Sequence, residues 1–214
     1  MKYTTIVWDW NGTLLDDAAI CAECVNDMLR KRNMQTLDLA TYRSYVENPI
    51  IKAYEHIFDL NVVTFDTIVK EFYESYPKYI KDASLIPGAV QMLDFFKERG
   101  CRQIIITAAH TPDVVEFLCR FGIKSYFDAV LGSKDLQGGS KISWAMEYTK
   151  SENFFKEKLL VIGDTAHDAE TAAAIGADCI LFSGGHQDEK RLMATGCPVV
   201  KSLLEIPSLI GQNQ

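Results

Sequence analysis

No run of residues in this chain approaches the roughly 20 consecutive apolar positions that a membrane-spanning helix needs. Positive charge is also scarce: 22 Lys and Arg stand against 29 Asp and Glu, a formal net charge of -7. Binding a nucleic-acid backbone requires clustered Lys and Arg, and no such cluster is present, so nucleic acid is excluded as the expected partner. Small anionic ligands remain compatible wherever positive charge is local. Zinc-type spacing is missing as well. The six cysteines include the pair Cys21 and Cys24, but no second Cys or His pair accompanies it. They read as reduced, mostly apolar thiols of a reducing compartment. The N-terminus runs straight into a strand without a secretory pattern, so the expected location is the cytoplasm. Repeats and low-complexity tracts are absent too, and nothing in the sequence speaks to oligomeric state.

What is present is a set of short apolar runs that each end on a polar residue. Ile6-Val7-Trp8 ends at Asp9, Ile104-Ile105-Ile106 at Thr107, and Leu159-Leu160-Val161-Ile162 at Gly163-Asp164. Each run has strand length and precedes a helix-like segment, which implies a parallel sheet buried on both faces. Ligands of such open α/β sheets bind beyond the carboxyl ends of the strands, so Asp9, Thr107 and Asp164 are expected to converge. Strands near 102–107, 128–131, 158–163 and 177–182 alternate with helices near 112–121, 140–150, 165–175 and 187–194, and a short strand at 198–200 finishes the sheet. Pro87-Gly88 opens a further helix that Gly100 stops.

Residues 16–85 differ. No convincing strand appears there, only helical spacing such as Phe65, Ile68, Val69, Phe72 and Tyr76, which Pro77 is expected to interrupt. The expected organisation is an α/β core made of 1–15 and 86–214, with a helical insertion at 16–85. Its position directly after the Asp9 turn places it over the crevice, as a lid that excludes water and selects substrate. Its aromatics, Tyr42, Tyr45, Tyr54, Phe58, Phe72, Tyr73, Tyr76 and Tyr79, are read as the insertion's own core.

Three clusters carry chemistry. Asp164 and Asp168 lie one helical turn apart, so both carboxylates can face the point where Asp9 ends its strand. Three converging carboxylates repel one another unless a cation balances them, and an open, oxygen-rich set suits Mg²⁺. Lys141 is expected to open a helix capped by Ser140, where a cation opposes the helix dipole and is tolerable if it faces an anion. In Thr107-Ala108-Ala109-His110-Thr111-Pro112, Thr111 is the expected cap and Pro112 the first helical residue. The Thr107 hydroxyl and nearby amides, Ala108 among them, could receive phosphate oxygens.

Taken together, these residues resemble the haloacid dehalogenase-like phosphohydrolase superfamily over nearly the whole chain. Asp9-Trp10-Asn11-Gly12-Thr13-Leu14 resembles the first motif, Thr107 the second, Lys141 the third and Gly163-Asp164-Thr165-Ala166-His167-Asp168 the fourth. The insertion is similar to the small helical cap of phosphoglycolate phosphatase-like members, and Ser183-Gly184-Gly185-His186-Gln187 is similar to loops of that subgroup. The resemblance implies a Rossmann-like parallel sheet flanked by helices, with the cap inserted after the first strand. It implies Mg²⁺ as cofactor and a small phosphorylated metabolite as substrate. Asp9 would be the phosphoryl-accepting nucleophile, Lys141 the charge-neutralising partner, and Thr107 and Ala108 the phosphoryl-binding positions. The metal set would be Asp9, the main-chain carbonyl of Asn11, Asp164 and Asp168.

Asn11 departs from the family pattern, which usually has aspartate there as general acid and base. An amide keeps the carbonyl but cannot carry a proton, and loss of such a group costs about 10²–10⁴-fold. Hydrolysis of phosphates with good leaving groups, proton transfer through His110 or His167, and a slow relative that binds a phosphorylated ligand all remain open. Deamidation of Asn11-Gly12 is a further reading. Dehalogenase, phosphonatase and phosphomutase chemistries fit less well.

Overall fold

The computed structural model describes residues 2–133, 141–151 and 158–211. Six parallel strands form one sheet in the order β5-β4-β1-β6-β7-β8. These are β1 (Thr5–Trp8), β4 (Arg102–His110), β5 (Ala129–Ser133), β6 (Leu159–Gly163), β7 (Asp178–Phe182) and β8 (Val199–Val200). From the central β1 the chain builds outward through β4 and β5, then crosses back to add β6, β7 and β8 on the other side. The order therefore reverses beside β1, the place where α/β sheets open a crevice. The register pairs Trp8 with Ile105 on one flank and with Ile162 on the other. Residues immediately after these positions consequently emerge side by side at one edge of the sheet.

Near-continuous apolar runs form the inner strands because both sheet faces are covered. Ile6, Trp8, Ile105, Leu160 and Ile162 pack into one apolar cluster, and Val7, Ile104, Ile106 and Val161 pack into another. Trp8 is wholly buried, and its indole N–H donates to Gln103 at 3.0 Å while Gln103 donates onward to the Leu93 carbonyl. The core helices are α5 (Ala89–Glu98), α6 (Thr111–Arg120), α7 (Lys141–Ser151), α8 (Ala166–Ile175), α9 (Glu189–Ala194) and α10 (Ile206–Gly211).

Between β1 and α5 stand four helices, α1 (Ala18–Lys31), α2 (Leu39–Tyr45), α3 (Ile51–Glu55) and α4 (Phe65–Tyr79). They gather Val25, Met28, Leu29, Tyr54, Phe58 and Ile68 into an apolar cluster of their own. Two short strands, β2 (Leu15–Asp16) and β3 (Ser84–Leu85), pair antiparallel at the entry and exit of this helical unit. Two residues each are too few to print a period-2 pattern, which is why the sequence shows no strand there.

Three local expectations need correction. Helix α4 does not stop at Pro77 but continues to Tyr79. Pro77 lacks the N–H that would bond the Tyr73 carbonyl, so the helix goes on for two more residues with one intrahelical bond fewer. Strand β4 runs three residues past Thr107 to His110, with an irregular register between Ile106 and His110. His110 is consequently the cap of α6, Thr111 its first residue and Pro112 its second. α9 begins at Glu189, capped by Asp188, whose side chain accepts from the Arg191 amide. Ser140, expected to cap α7, lies outside the described residues.

Candidate functional site

Asp9 follows β1 and Asp164 follows β6, and the in-register pairing of those strands is what draws together residues so distant in sequence. One turn into α8, Asp168 joins them. A carboxylate oxygen from each of the three lies within 4.8 Å of the others, and all three residues are buried. Lys141, the first residue of α7 and only 4% exposed, reaches into this set. Its ammonium lies 2.7 Å from Asp9 and forms a second, very close ion pair with Asp168. The cation that opposes its own helix dipole thus faces two anions.

Each carboxylate has a distinct set of donors. Asp168 accepts from the Asp164 amide at 3.2 Å and from the Thr165 amide and hydroxyl at 3.0 and 2.8 Å, closing a capping box on α8. Burial alone would raise its pKa, but Lys141 and these donors hold it below the usual carboxylate value. Asp164 takes the Thr13 hydroxyl at 2.9 Å on one oxygen and the His186 amide at 2.6 Å on the other. Burial pushes Asp164 well up, and it raises Asp9 too, against the opposing charge of Lys141. Three buried carboxylates facing one lysine leave an excess of negative charge. A divalent cation with oxygen preference would offset that excess and favour the ionised form of Asp9 and Asp164, so the donor set fits Mg²⁺.

Gly12 makes the turn after Asp9 possible. It adopts φ +73°, and a Cβ there would overlap the Asp164 carboxylate and the His186 ring. At Gly163 the constraint is space alone, because a Cβ would strike the Asp168 side chain. Both glycines let backbone and carboxylates approach closely.

Asn11 finds a partner that sequence reasoning did not identify. Its amide nitrogen donates to Asp17 at 2.6 Å. Asp17 is wholly buried and also accepts from the Gly12 amide at 2.9 Å, the His186 ring at 3.0 Å and the Tyr76 hydroxyl at 3.4 Å. Burial would raise the Asp17 pKa, yet His186 and these donors lower it on balance. His186 shows the reverse balance. Burial would lower its pKa, but Asp17 raises it to about 9. The imidazole is therefore charged at neutral pH and donates from both nitrogens, one to Asp17 and the other to the Tyr42 hydroxyl at 3.0 Å. Cys21 also approaches Asp17, at 3.6 Å, but as a thiol whose pKa burial drives far up. With His186 already matching its charge, Asp17 is satisfied without an ion. All six cysteines are free thiols, and Cys24 is buried, in line with the apolar reading.

The two histidines weighed from sequence as proton carriers hold polar contacts of their own. His167 contacts Glu170 at 2.9 Å and Asn48 at 3.1 Å, and His110 faces Asp113 at 3.1 Å. His186 is the histidine that meets the partner of Asn11. Its signal in the sequence was the loop Ser183–Gln187, whereas Asp17 had none, since it reads as one more acid at a helix start. Two aromatics assigned wholly to the core of the insertion, Tyr42 and Tyr76, send their hydroxyls to this pair. Thr107 is buried in β4, and its hydroxyl accepts from the Ala109 amide at 3.1 Å, tightening the irregular end of the strand. Ala108 follows it within the same strand.

The loop after β7 helps fasten the helical unit over this edge. Arg43 donates to the Gly185 and Gly184 carbonyls at 2.7 and 2.5 Å, and Gln187 donates to the Val46 carbonyl at 2.8 Å. Among the described residues no helix is long and apolar enough to cross a membrane.

Comparison with known proteins agrees with this geometry. The model of the haloacid dehalogenase-like hydrolase family matches residues 6–182. A phosphoglycolate phosphatase from Rhodobacter capsulatus is 26% identical over 191 residues, which cover 85% of each chain. Among solved structures, a haloacid dehalogenase-like family hydrolase from Streptococcus pneumoniae superposes with a TM-score of 0.82 at 18% identity, covering 98% of this chain and 99% of that one. The protein tyrosine kinase A of Mycobacterium tuberculosis superposes with a TM-score of 0.80 at 21% identity, over 98% and 99%. Proteins described as a hydrolase and as a kinase thus share this fold, and the chemistry follows from the site rather than from the fold.

Proposed function

Since the chain belongs to the haloacid dehalogenase-like hydrolase family, we propose that it is a cytoplasmic, Mg²⁺-dependent phosphatase of small phosphorylated metabolites, phosphoglycolate phosphatase-like, acting through a phosphoaspartyl intermediate on Asp9. The observation that carries this reading is the buried Lys141 bridging Asp9 and Asp168 beside Asp164. An anionic nucleophile must approach an anionic phosphoryl group, and a fixed cation beside it lowers that repulsion. Asp9, the Asn11 main-chain carbonyl and Asp164 would hold Mg²⁺, with Asp168 contributing directly or through water. Bound there, the ion would supply charge neutralisation and orientation of the phosphoryl oxygens.

In the first step an Asp9 carboxylate oxygen forms a bond to phosphorus as the ester P–O bond breaks, and the leaving oxygen departs with the electron pair. Lys141 holds the Asp9 carboxylate in register throughout. Thr107 and the neighbouring Ala108 amide would receive phosphoryl oxygens. In the second step water attacks phosphorus as the P–O bond to Asp9 breaks, freeing the Asp9 carboxylate and inorganic phosphate, and the water's proton passes to a phosphoryl oxygen or to solvent. Both steps need a proton carrier near the ester oxygen, and the Asn11 amide cannot serve. Acyl and aryl phosphates, whose leaving oxygens need little protonation, should therefore turn over better than alkyl phosphates. The helical unit serves as the cap of this site, seated over it by Arg43 and Gln187.

A second reading is favoured by the Asn11–Asp17 bond itself. A residue 11 side chain spent on a buried carboxylate suits a slow relative that binds a phosphorylated ligand. A panel of acyl, aryl and alkyl phosphates with Mg²⁺ separates the two readings. Turnover of an acyl or aryl phosphate that disappears in Asp9→Asn supports the enzyme. If the natural chain is inert and Asn11→Asp is active, it is a binding protein; activity that survives Asp9→Asn removes the phosphoaspartyl mechanism.

A further inference from the structure

Asp17 collects four donors from three separate parts of the chain. Asn11 and Gly12 come from the turn after β1, His186 from the loop after β7, and Tyr76 from α4 of the helical unit. An ionised carboxylate only accepts, so it dictates which arm of the Asn11 amide faces it. The NH₂ arm is drawn to Asp17, and the carbonyl oxygen on the opposite arm is turned away. The 2.6 Å separation is short even for a charge-assisted bond, so the amide is firmly held.

His186 extends this hold in two directions. Its main-chain amide donates to Asp164 at 2.6 Å, and its ring joins Asp17 to Tyr42, a residue of α2. A continuous path of hydrogen bonds therefore runs from Tyr42 through His186 and Asp17 to Asn11, with a branch to Asp164. The flanking residues Gly184, Gly185 and Gln187 are bound by Arg43 and by the Val46 carbonyl of the same helical unit. Withdrawal of the unit would take Tyr42 from His186, Arg43 from the loop that carries it and Tyr76 from Asp17.

We propose that Asp17 and His186 are positioning residues that couple the seating of the helical unit to the orientation of the Asn11 amide and the Asp164 carboxylate. With the unit seated, Asn11 presents a fixed hydrogen-bond acceptor on the arm away from Asp17, which orients an attacking water or a substrate hydroxyl although it cannot take the proton. Once the unit lifts, the amide is released and the Asp164 donor is loosened, so the site is assembled only around an enclosed substrate. The catalytic consequence rests on the phosphatase reading above, but the coupling does not.

The test uses full-length ¹⁵N-labelled protein as wild type, Tyr42→Phe, Asp17→Asn and the double variant. One readout is hydrogen exchange of the Asn11 side-chain amide. The other is kcat and KM for p-nitrophenyl phosphate with Mg²⁺. Tyr42→Phe, which touches neither Asn11 nor Asp164, should speed the Asn11 amide exchange at least tenfold and lower kcat by a larger factor than it raises KM. Asp17→Asn should exceed it in both, and the double variant should exchange no faster than Asp17→Asn alone. Exchange in Tyr42→Phe within twofold of wild type overturns the coupling, as does full additivity in the double variant. Should Asp17→Asn fail to fold, the Tyr42→Phe exchange decides the matter alone. Wild-type turnover indistinguishable from that of Asp9→Asn would sink the phosphatase reading while leaving the exchange result to judge the coupling.

Discussion

Replacing Asn11 by Asp would put the usual family carboxyl back at this position, but here it would meet a second carboxylate. The amide nitrogen it replaces lies 2.6 Å from the Asp17 oxygen. Two unit charges at that separation repel by about 6 kcal/mol at an effective dielectric near 20. Both groups cannot stay ionised, so the pair must share one proton and titrate as a unit, with one macroscopic pKa raised. Two consequences follow for Asn11→Asp. A protonated carboxyl beside Asp9 is a general acid, so turnover of an alkyl phosphate should rise about 10²–10⁴-fold, equivalent to about 3–5 kcal/mol of barrier. Stability should acquire a pH dependence that the natural chain lacks. The folded pair binds a proton that the unfolded chain releases near the ordinary carboxylate pKa, so the variant loses stability as pH rises from that value through the raised folded value. Thermal unfolding of both proteins between pH 4 and pH 8, together with steady-state kinetics, measures both effects. A melting difference between variant and wild type that is constant across this range would refute the pairing of residues 11 and 17. Unchanged alkyl phosphate turnover would refute the assignment of the missing proton carrier to this position.

Lys141→Met strands Asp9 and Asp168 as buried, unpaired anions and should destabilise the fold by about 3–5 kcal/mol, part of which Mg²⁺ restores; a urea midpoint that barely moves would contradict the buried ion pair. His186, with its pKa raised to about 9, contributes stability that is fully present below its unfolded value near 6.5 and is lost as pH rises through about 9. The loss should be on the order of 3 kcal/mol, seen as a fall in melting temperature over that window that is absent in His186→Gln. Gly12→Ala imposes an overlap with Asp164 and His186 at a left-handed backbone position, so calorimetry should find the variant weakened in both folding and Mg²⁺ binding. Arg43→Ala removes two carbonyl ligations at the loop carrying His186 and should raise KM for a substrate that the helical unit encloses, with the core melting transition nearly unchanged.

Much of this molecule is legible in the linear chain because its signals are local. Apolar runs of three or four residues ending at Asp9 and Gly163-Asp164, each followed by helical periodicity, specify parallel strands and the edge at which their polar ends emerge. The spacing of Asp164 and Asp168 places both carboxylates on one side of a helix start, and Lys141 at the first position of α7 stands where only an anionic neighbour makes a buried cation tolerable. Local rules erred where tertiary pairing overrode them. Ladder bonds to β5 carry β4 past Thr107 to His110, and the Pro77 ring is absorbed in a final helical turn.

The partners of Asn11 lay beyond the reach of sequence for a different reason. Asp17, Tyr42, Tyr76 and His186 stand 6 to 175 positions from residue 11, on separate elements, and each alone has an ordinary role as a surface acid, a core aromatic or a loop histidine. Only the folded chain, by seating α2 against the loop after β7 and Tyr76 of α4 beside Asp17, shows that one buried carboxylate holds them together. The sequence by itself determined the layered sheet and the carboxylate-lysine set, because those depend on periodicity and strand ends. Tertiary packing decided which way the Asn11 amide faces and what fixes it there, because that orientation is set by donors and acceptors that no short stretch of chain contains.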